Sequence, residues 1–240
     1  MRIMLWMFSI CLWISCASHQ KEPAAEVAVH SPDPPDSTAI EDTLTNYAAF
    51  EYVDLLTADD FLTKLDSIKG GLSQDFFTLR MAYTKTGAYT PYGETSRDSL
   101  NKAGALFEEK RFSEALTVLN NVLRENYVSI STHSYASYAW EMLGDSTRAL
   151  FHLNMYQGLL NSIYDYGNGN SPQSAYIVIS TREEYEFLNW FGLQFKEQNL
   201  IAADEYSFDL MKAVDPETNE QFDIYFNIQI PFTRLSNAFK

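Results

Sequence analysis

The sequence predicts an α+β protein, in which α-helical hairpins are followed by a small, mostly antiparallel sheet with one helix. Three observations support this prediction. Apolar residues recur at helical spacing between residues 42 and 166. The turn-rich stretch "YDYGNGNSPQ" then ends the helical pattern at Gly167, Gly169 and Pro172. Beyond it, short runs of β-branched and aromatic residues alternate with polar residues, as is typical of strands.

Residues 1–15 have the pattern of a secretory signal peptide. Arg2 precedes 13 uncharged residues, "IMLWMFSICLWIS", which are too few to span a bilayer as a helix. Ser15 followed by Cys16 resembles a bacterial lipobox, although Trp13 departs from the Leu, Val or Ile that this pattern prefers. We therefore expect cleavage before Cys16 and lipidation of its thiol. Cleavage by the ordinary signal peptidase and an uncleaved anchor are the alternatives.

Residues 16–41, after the leader, are expected to form a flexible tether behind the lipidated cysteine. Four of the eight prolines lie here, and large apolar residues are almost missing, so the segment cannot bury enough surface to become ordered. Such a tether would hold a domain away from a membrane. We expect a protein anchored to the outer membrane. The single acidic residue in "CASHQKE" favours the periplasmic face over the cell surface.

The charge and the cysteine count exclude several classes of function. The net formal charge is −15, which argues against binding to nucleic acid or to an anionic membrane surface. We therefore expect membrane contact through the lipid anchor only. Cleavage before Cys16 would leave no second thiol, so neither a disulfide framework nor a thiolate metal site is expected.

Two helical hairpins repeat at an interval of 34 residues, the period of the tetratricopeptide repeat. A small alanine lets paired helices approach closely, and Gly144-Asp145 occupies a turn where that repeat favours this dipeptide. The residues related by the interval are Ala115 and Ala149, Leu119 and Leu153, and Val122 and Tyr156. Residues 58–86, opened by a capping box of Thr57 and Asp60, are predicted to add a third, more divergent pair.

The end of the chain is predicted to contain a sheet. "SAYIVIS" is predicted to be a strand, and "TREEYEFLNWFG" a helix opened by a capping box of Thr181 and Glu184. Apolar residues alternate with polar ones from Phe222 to Ile230, which predicts a strand paired as a hairpin with residues 206–214. We divide the chain into a helical-repeat domain, residues 42–166, and a small α+β subdomain, residues 167–240, packed on the last helices.

Several quoted stretches resemble a known family. The order "LRMAYTKTGAYTPYG", "GNGNSPQSAYIVIS", "EEYEFL" and the closing "IYFNI" is similar to the domain-of-unknown-function 4919 family, over roughly residues 45–233. Its members are exported proteins of Bacteroides-type bacteria, and many carry a lipoprotein leader. The resemblance implies an envelope location and a mixed helical and sheet domain. It implies no catalytic residues.

No stretch of the sequence indicates a reaction or a cofactor. His133 and His152 lie on the two helices of the second hairpin and can approach each other, but without a third ligand we expect no metal site. Adjacent acidic residues diverge by about 100° around a helix, so such pairs are expected on solvated faces rather than around one substrate. These pairs are Glu108-Glu109 and Glu183-Glu184. We expect no enzymatic activity.

The leading hypothesis is an interaction module of the cell envelope that holds a protein or peptide partner in the groove of its helical repeats. The register of a tetratricopeptide repeat points to Arg97, Tyr138 and Glu141 as binding residues. A glycan- or nutrient-binding lipoprotein of an uptake complex is the alternative, and a purely space-filling envelope protein is a third hypothesis. Aromatic residues expected to stay accessible are Tyr89, Tyr92 and Tyr138.

Overall fold

The computed structural model describes residues 52–92 and 95–238. It confirms the predicted fold class, with paired helices first and a four-stranded, mostly antiparallel sheet with a helix after them. The predicted leader, the lipidation site Cys16 and the tether lie outside the described residues. No helix within the described ranges is long and apolar enough to cross a membrane.

The helices and strands of the described residues follow one another in this order. The helical half contains α1 (Ala58–Lys69), α2 (Phe76–Tyr83), α3 (Thr95–Glu108), α4 (Phe112–Glu125), α5 (Ile130–Met142) and α6 (Ser146–Tyr164). The second half contains a 3₁₀ turn (Pro172–Ser174), β1 (Tyr176–Ile177), α7 (Thr181–Trp190), β2 (Gln194–Ala203), β3 (Tyr206–Val214), β4 (Gln221–Asn227) and α8 (Gln229–Ala238).

Neighbouring helices pack in pairs, α1 with α2, α3 with α4, and α5 with α6. The predicted capping box opens α1: the hydroxyl of Thr57 accepts from the amide of Asp60, and the carboxylate of Asp60 accepts from the amide of Thr57 at 2.8 Å. Gly144 adopts a positive φ of 78° in the turn between α5 and α6, a conformation that costs glycine little. Local sequence therefore specifies where these helices begin and end.

The sheet has the strand order β1-β4-β3-β2. The predicted hairpin is confirmed, because β3 pairs antiparallel with β4 and Met211 lies opposite Ile224. The short strand β1 pairs parallel with β4, with Tyr176 opposite Phe226. Strand β2 completes the sheet by antiparallel pairing with β3.

Two predicted boundaries are wrong. The alternating run does not continue as a strand to Ile230, because β4 ends at Asn227 and α8 begins at Gln229. Pro231 explains the change, since proline cannot donate to a strand ladder but fits the first turn of a helix. Helix α7 is capped one residue earlier than expected: Ser180 accepts from the amide of Glu183, and Thr181 is the first helical residue.

Buried apolar residues form two clusters. The main cluster joins α1, α2 and α6 to the sheet and to α7, and it contains Leu159, Ile163, Tyr176 and Phe187. The second cluster lies between α3, α4 and α5 and is rich in alanine. Its buried members are Leu100, Ala103, Leu106, Phe112, Ala115, Leu116, Leu119, Ala136 and Ala139.

Candidate functional site

An open cleft of about 780 Å³ runs along α1; we call it the α1 cleft. One face of α1 forms a wall, because residues 58, 61, 62, 65 and 69 recur at helical spacing. The rest of the lining comes from the second half of α4, the end of α2 with residues 86–88, Tyr127, and His152 of α6. The 12 residues of α1 give this wall a length of about 18 Å.

The wall of the α1 cleft is apolar in the middle and charged at both ends. Phe61 and Leu65 are buried beneath it, while Leu62 remains 58% exposed. Asp59 lies in the first turn of α1 and Lys69 in the last. The wall therefore offers an exposed apolar side chain in the middle and one charge of each sign at its ends.

The Lys69 end of the α1 cleft carries two exposed cations. The Lys69 ammonium lies 4.3 Å from the centre of the Tyr127 ring, a cation–π contact. Arg124, in the last turn of α4, donates to the side-chain oxygen of Asn121 at 3.2 Å. No carboxylate of the described residues forms an ion pair with either cation, so both can meet a negative charge from outside.

His133 and His152 lie at the inner edge of this end, and their predicted approach is confirmed. Their Nδ1 atoms are 2.9 Å apart, and Nε2 of His133 lies 2.8 Å from the backbone oxygen of Tyr127. Burial lowers the pKa of His133 to about 3 and that of His152 to about 4. Both imidazoles are therefore neutral near pH 7, and the pair is a hydrogen-bonded contact.

Glu183 does not lie on a solvated face, as its pairing with Glu184 in the sequence suggested, but is buried against Arg80. The Arg80 side chain is 0% exposed, and its Nε and Nη2 donate to the two oxygens of the Glu183 carboxylate at 3.0 and 2.6 Å. The remaining donors of Arg80 reach Ser162 and the backbone oxygen of Ile177. This network joins α2, α6, β1 and α7, and its complete pairing indicates a structural role.

Glu184 is also buried, which corrects the same expectation for the second residue of the pair. Neither of its carboxyl oxygens has a hydrogen-bond partner within normal geometry among the described residues. Burial raises the pKa of Glu184 to about 9, and the neighbouring Asp209 adds to this shift. Burial also raises the pKa of Asp209, whose carboxylate accepts from Gln198 at 2.6 Å. Glu184 therefore holds a proton near pH 7, beside a second carboxyl.

Two further cavities lie outside the α1 cleft. One of about 30 Å³ lies beside Glu186, whose carboxylate accepts from the hydroxyl and amide of Ser131 at the start of α5; burial raises the pKa of Glu186 to about 8. The other, of about 460 Å³, lies between the end of α2 and α8 and is lined by Lys85 and Arg234. The first has room for a single water molecule.

The predicted binding residues lie elsewhere. Arg97 on α3 and Glu141 on α5 are exposed. Tyr138 is half-buried, and its ring packs edge-on against Phe107 and Phe112 at 5.3 and 5.9 Å between centroids. None of the three lines a cavity described above. The α1 cleft involves the second helix of each hairpin, α4 and α6, whereas the predicted groove involves the first.

The aromatic residues expected to stay accessible behave differently from one another. Tyr92 is exposed, but Tyr89 is buried and its hydroxyl donates to the backbone oxygen of Ile179 at 2.6 Å. Tyr89 thus ties its loop to the residue before the cap of α7. Among the described residues, no group of three or more His, Cys, Asp or Glu side chains is placed to hold a metal ion.

Lys69 and Arg124 are candidate binding residues that the sequence did not reveal. They lie 55 positions apart in the chain, on elements that the tertiary fold brings to one cleft. Only the predicted approach of His133 and His152, on the two helices of one hairpin, pointed toward this region, and it gave no indication that α1 would form the facing wall.

Comparison with known proteins gives a family and no characterised relative. No curated protein and no solved structure matches the chain significantly. The sequence model described as "Domain of unknown function (DUF4919)" matches residues 39–236, which is most of the chain. The resemblance drawn from the quoted stretches is thereby confirmed, and the protein belongs to the DUF4919 family.

Proposed function

We propose that this protein is a lipid-anchored component of the bacterial envelope that binds an extended segment of a partner protein or peptide, without catalysis and without a cofactor. The observation that carries the proposal is the α1 cleft, which is open, about 780 Å³ in volume and long enough for several extended residues. An extended chain suits such a surface because its alternate side chains can contact an apolar wall while its ends meet charges.

The absence of catalysis is supported by the state of the reactive side chains around the α1 cleft. His152 is neutral near pH 7 and is hydrogen-bonded to His133. The buried acids Glu183 and Glu184 do not line the α1 cleft. Among the described residues no serine or cysteine lines the cleft, and the hydroxyl of Thr86, which does line it, donates to the backbone oxygen of Tyr83 at 2.8 Å.

We further propose that Cys16 is lipidated and that the protein lies on the periplasmic face of the outer membrane. The support is the leader pattern before Cys16 and the proline-rich tether after it. Replacement by Cys16→Ala should move the protein from the membrane fraction to the soluble fraction of lysed cells. Equal membrane recovery of both forms would contradict lipidation at this residue.

We also propose tetratricopeptide-like geometry for α3 to α6. The support is the 34-residue interval and the complete burial of Ala115 where α4 packs on its neighbours. In that geometry Arg97, Tyr138 and Glu141 would line a second binding surface. The variants Arg97→Ala and Tyr138→Ala should then weaken partner capture with unchanged circular dichroism. Loss of helical signal in both would assign these side chains to the core.

The sharpest test of partner binding is site-specific photocrosslinking in cells. A photoreactive residue at position 62 replaces the exposed leucine of the α1 cleft. A matched control at Leu200 of β2, which is 64% exposed, lies outside it. We expect a defined adduct only from position 62, and mass spectrometry should map it to one continuous segment of a partner. Equal adducts at both positions, or none at position 62, would overturn the proposal and favour a space-filling role.

Glycan binding is the second candidate, and Tyr127 is the observation that favours it. Its half-buried ring lines the α1 cleft, and aromatic rings of this kind can stack on sugar rings. Calorimetry against a glycan panel distinguishes the two functions: a sugar ligand should release heat that Tyr127→Leu abolishes, whereas a protein partner leaves these titrations flat.

A further inference from the structure

We propose that the Lys69 end of the α1 cleft binds the free carboxyl terminus of a peptide. Lys69 and Arg124 would receive the carboxylate, and His152 would accept a hydrogen bond from the last backbone N–H of the peptide. The inference rests on the proposed function, since it requires that a peptide occupies the cleft, and it adds which end of the peptide enters and in which direction.

The first step is the hydrogen-bonding state of His152. The backbone oxygen of Tyr127 can only accept, so Nε2 of His133, at 2.8 Å, must carry the proton. A neutral imidazole carries one proton, so Nδ1 of His133 is an acceptor. The Nδ1 of His152, at 2.9 Å from it, must therefore be the donor. The remaining nitrogen of His152, Nε2, is left as a bare acceptor.

The second step is the position of that acceptor. His152 is only 8% exposed, yet it lines the α1 cleft. Its Nδ1 edge faces His133, so the edge left to face the cleft carries Nε2. No described residue donates a hydrogen bond to this nitrogen. It is not among the sealed buried atoms that lack a partner within the described residues, so it is accessible from the α1 cleft, and a ligand that brings an N–H or O–H donor can bind to it.

The third step is the charge around the acceptor. Lys69 is placed by its contact with the Tyr127 ring, and that ring packs edge-on against His133 at 5.2 Å between centroids. Arg124 precedes Tyr127 by three residues. Glu125 also lines this end of the cleft and offsets one of the two cations. The net charge at this end therefore remains positive, in a chain whose net charge is −15. A carboxylate is the complementary ligand group.

The fourth step is the kind of carboxylate. The last residue of a peptide carries both a backbone N–H and the terminal carboxylate. That single residue can therefore donate to His152 while its carboxylate contacts the two cations. A side-chain carboxylate places its charge further from any backbone N–H. The part of α1 from Lys69 to Asp59, about 15 Å long, accommodates about four extended residues. The peptide would then run from Lys69 past Leu62 toward Asp59, where a basic or amino-terminal group finds a negative charge.

The test uses a random pentapeptide library in two forms, with free and with amidated carboxyl termini, presented to the full-length protein. Bound peptides are recovered and measured by mass spectrometry. We expect amidation to reduce recovery about tenfold, as loss of a charge-assisted hydrogen bond predicts. The variants Lys69→Gln and Arg124→Gln should each reduce binding of the free form several-fold. The matched control Lys212→Gln removes an exposed cation from β3 and should leave binding unchanged.

The outcomes separate the two proposals. Equal recovery of free and amidated peptides would overturn the carboxyl-terminal inference and leave peptide binding in place. Failure of both libraries with folded protein would overturn peptide binding as well. A third measurement uses an anionic dye bound to the protein as a reporter. If glucuronic acid displaces this dye and neither peptide library does, the carboxylate belongs to a sugar acid, which would contradict the inference. Preferential recovery of the free form, lost in Lys69→Gln and retained in Lys212→Gln, would support it.

Discussion

The two apolar clusters of this protein differ in what they enclose. The second cluster, between α3, α4 and α5, consists of alanine, leucine and phenylalanine. The main cluster surrounds charged and polar side chains, among them Arg80, Glu183, Glu184 and His133. The apolar residues of both clusters are buried to a similar extent. The clusters differ in stability requirements, because only the main cluster depends on the pairing of buried polar groups.

This difference follows from the distances along the chain that each cluster bridges. The second cluster forms between successive helices, where small residues at helical spacing suffice for close packing. The main cluster joins residues far apart, and the Arg80–Glu183 contact spans 103 positions. A buried ion pair adds little net stability but is costly to break. The main cluster should therefore tolerate changes of charge poorly, while the paired helices around the second cluster tolerate them well.

The largest effect is expected from Glu183→Gln, which leaves the buried Arg80 guanidinium without a counter-charge. We expect the free energy of unfolding to fall by about 3–5 kcal/mol. The matched control is Glu109→Gln, which removes one of the two exposed carboxylates paired with Arg111 and should change stability far less, because solvent screens exposed ion pairs. Urea denaturation measures both. Similar losses in the two variants would contradict the contrast between the clusters.

An intermediate effect is expected from Gly158→Ala, at the contact of α6 with α2. An added methyl group there would overlap the ring of Phe76, and overpacking of this kind costs about 1–3 kcal/mol. Gly104→Ala, in α3 beside the second cluster, is the control, since its methyl group would meet no atom. Helix propensity predicts that Gly104→Ala stabilises the protein by about 0.5–1 kcal/mol. Opposite signs in thermal unfolding are the expected result, and destabilisation by both would contradict it.

The most gradual effect is expected from pH, which changes stability in small increments over several pH units. Glu184 has a pKa of about 9 in the folded protein against 4.5 ordinarily, so the folded state keeps a proton that the unfolded chain releases. Stability from this group is fully present below about pH 4.5 and is lost as the pH rises to about 9. The loss amounts to at most about 1.4 kcal/mol per pH unit.

The measurement for this effect compares the free energy of unfolding of wild type and Glu184→Gln between pH 5 and 9. The wild type should lose stability relative to the variant as the pH rises. Glu141→Gln, which removes one exposed carboxylate from α5, corrects for the change in net charge. Parallel pH profiles for wild type and Glu184→Gln would show that Glu184 is ionised in the folded protein, contrary to this account.

Local features of the fold were predictable from the sequence. Thr57 and Asp60 cap α1 as expected, the hairpins containing Ala115 and Ala149 are present, and β3 pairs with β4. These features depend on residues that are close in the chain or related by a regular period. The end of β4 was missed because alternation continues into α8, where Pro231 lies in the first turn of the helix.

The candidate site was much less predictable. "TREEYEF" gives no indication that Glu183 meets Arg80 or that Glu184 faces Asp209, because both partners come from distant elements. The prediction that His133 and His152 approach each other came from their places on the two helices of one hairpin, but Lys69 and Arg124 became part of the site only because the tertiary fold brings α1 and the end of α4 to one cleft. Local sequence patterns predict which helices form. Which polar groups these helices bury together depends on long-range contacts that the patterns do not contain.

The most direct test of the central claim is the protonation of the two histidine rings, read from their imidazole ¹⁵N shifts by long-range ¹H–¹⁵N correlation at pH 7. The account predicts a proton on Nε2 of His133 and on Nδ1 of His152, leaving Nε2 of His152 bare and ready to accept a hydrogen bond in the α1 cleft. Addition of a pentapeptide pool with free carboxyl termini should then shift this nitrogen most among the ring nitrogens. A proton on Nε2 of His152 before any peptide is added would contradict the claim.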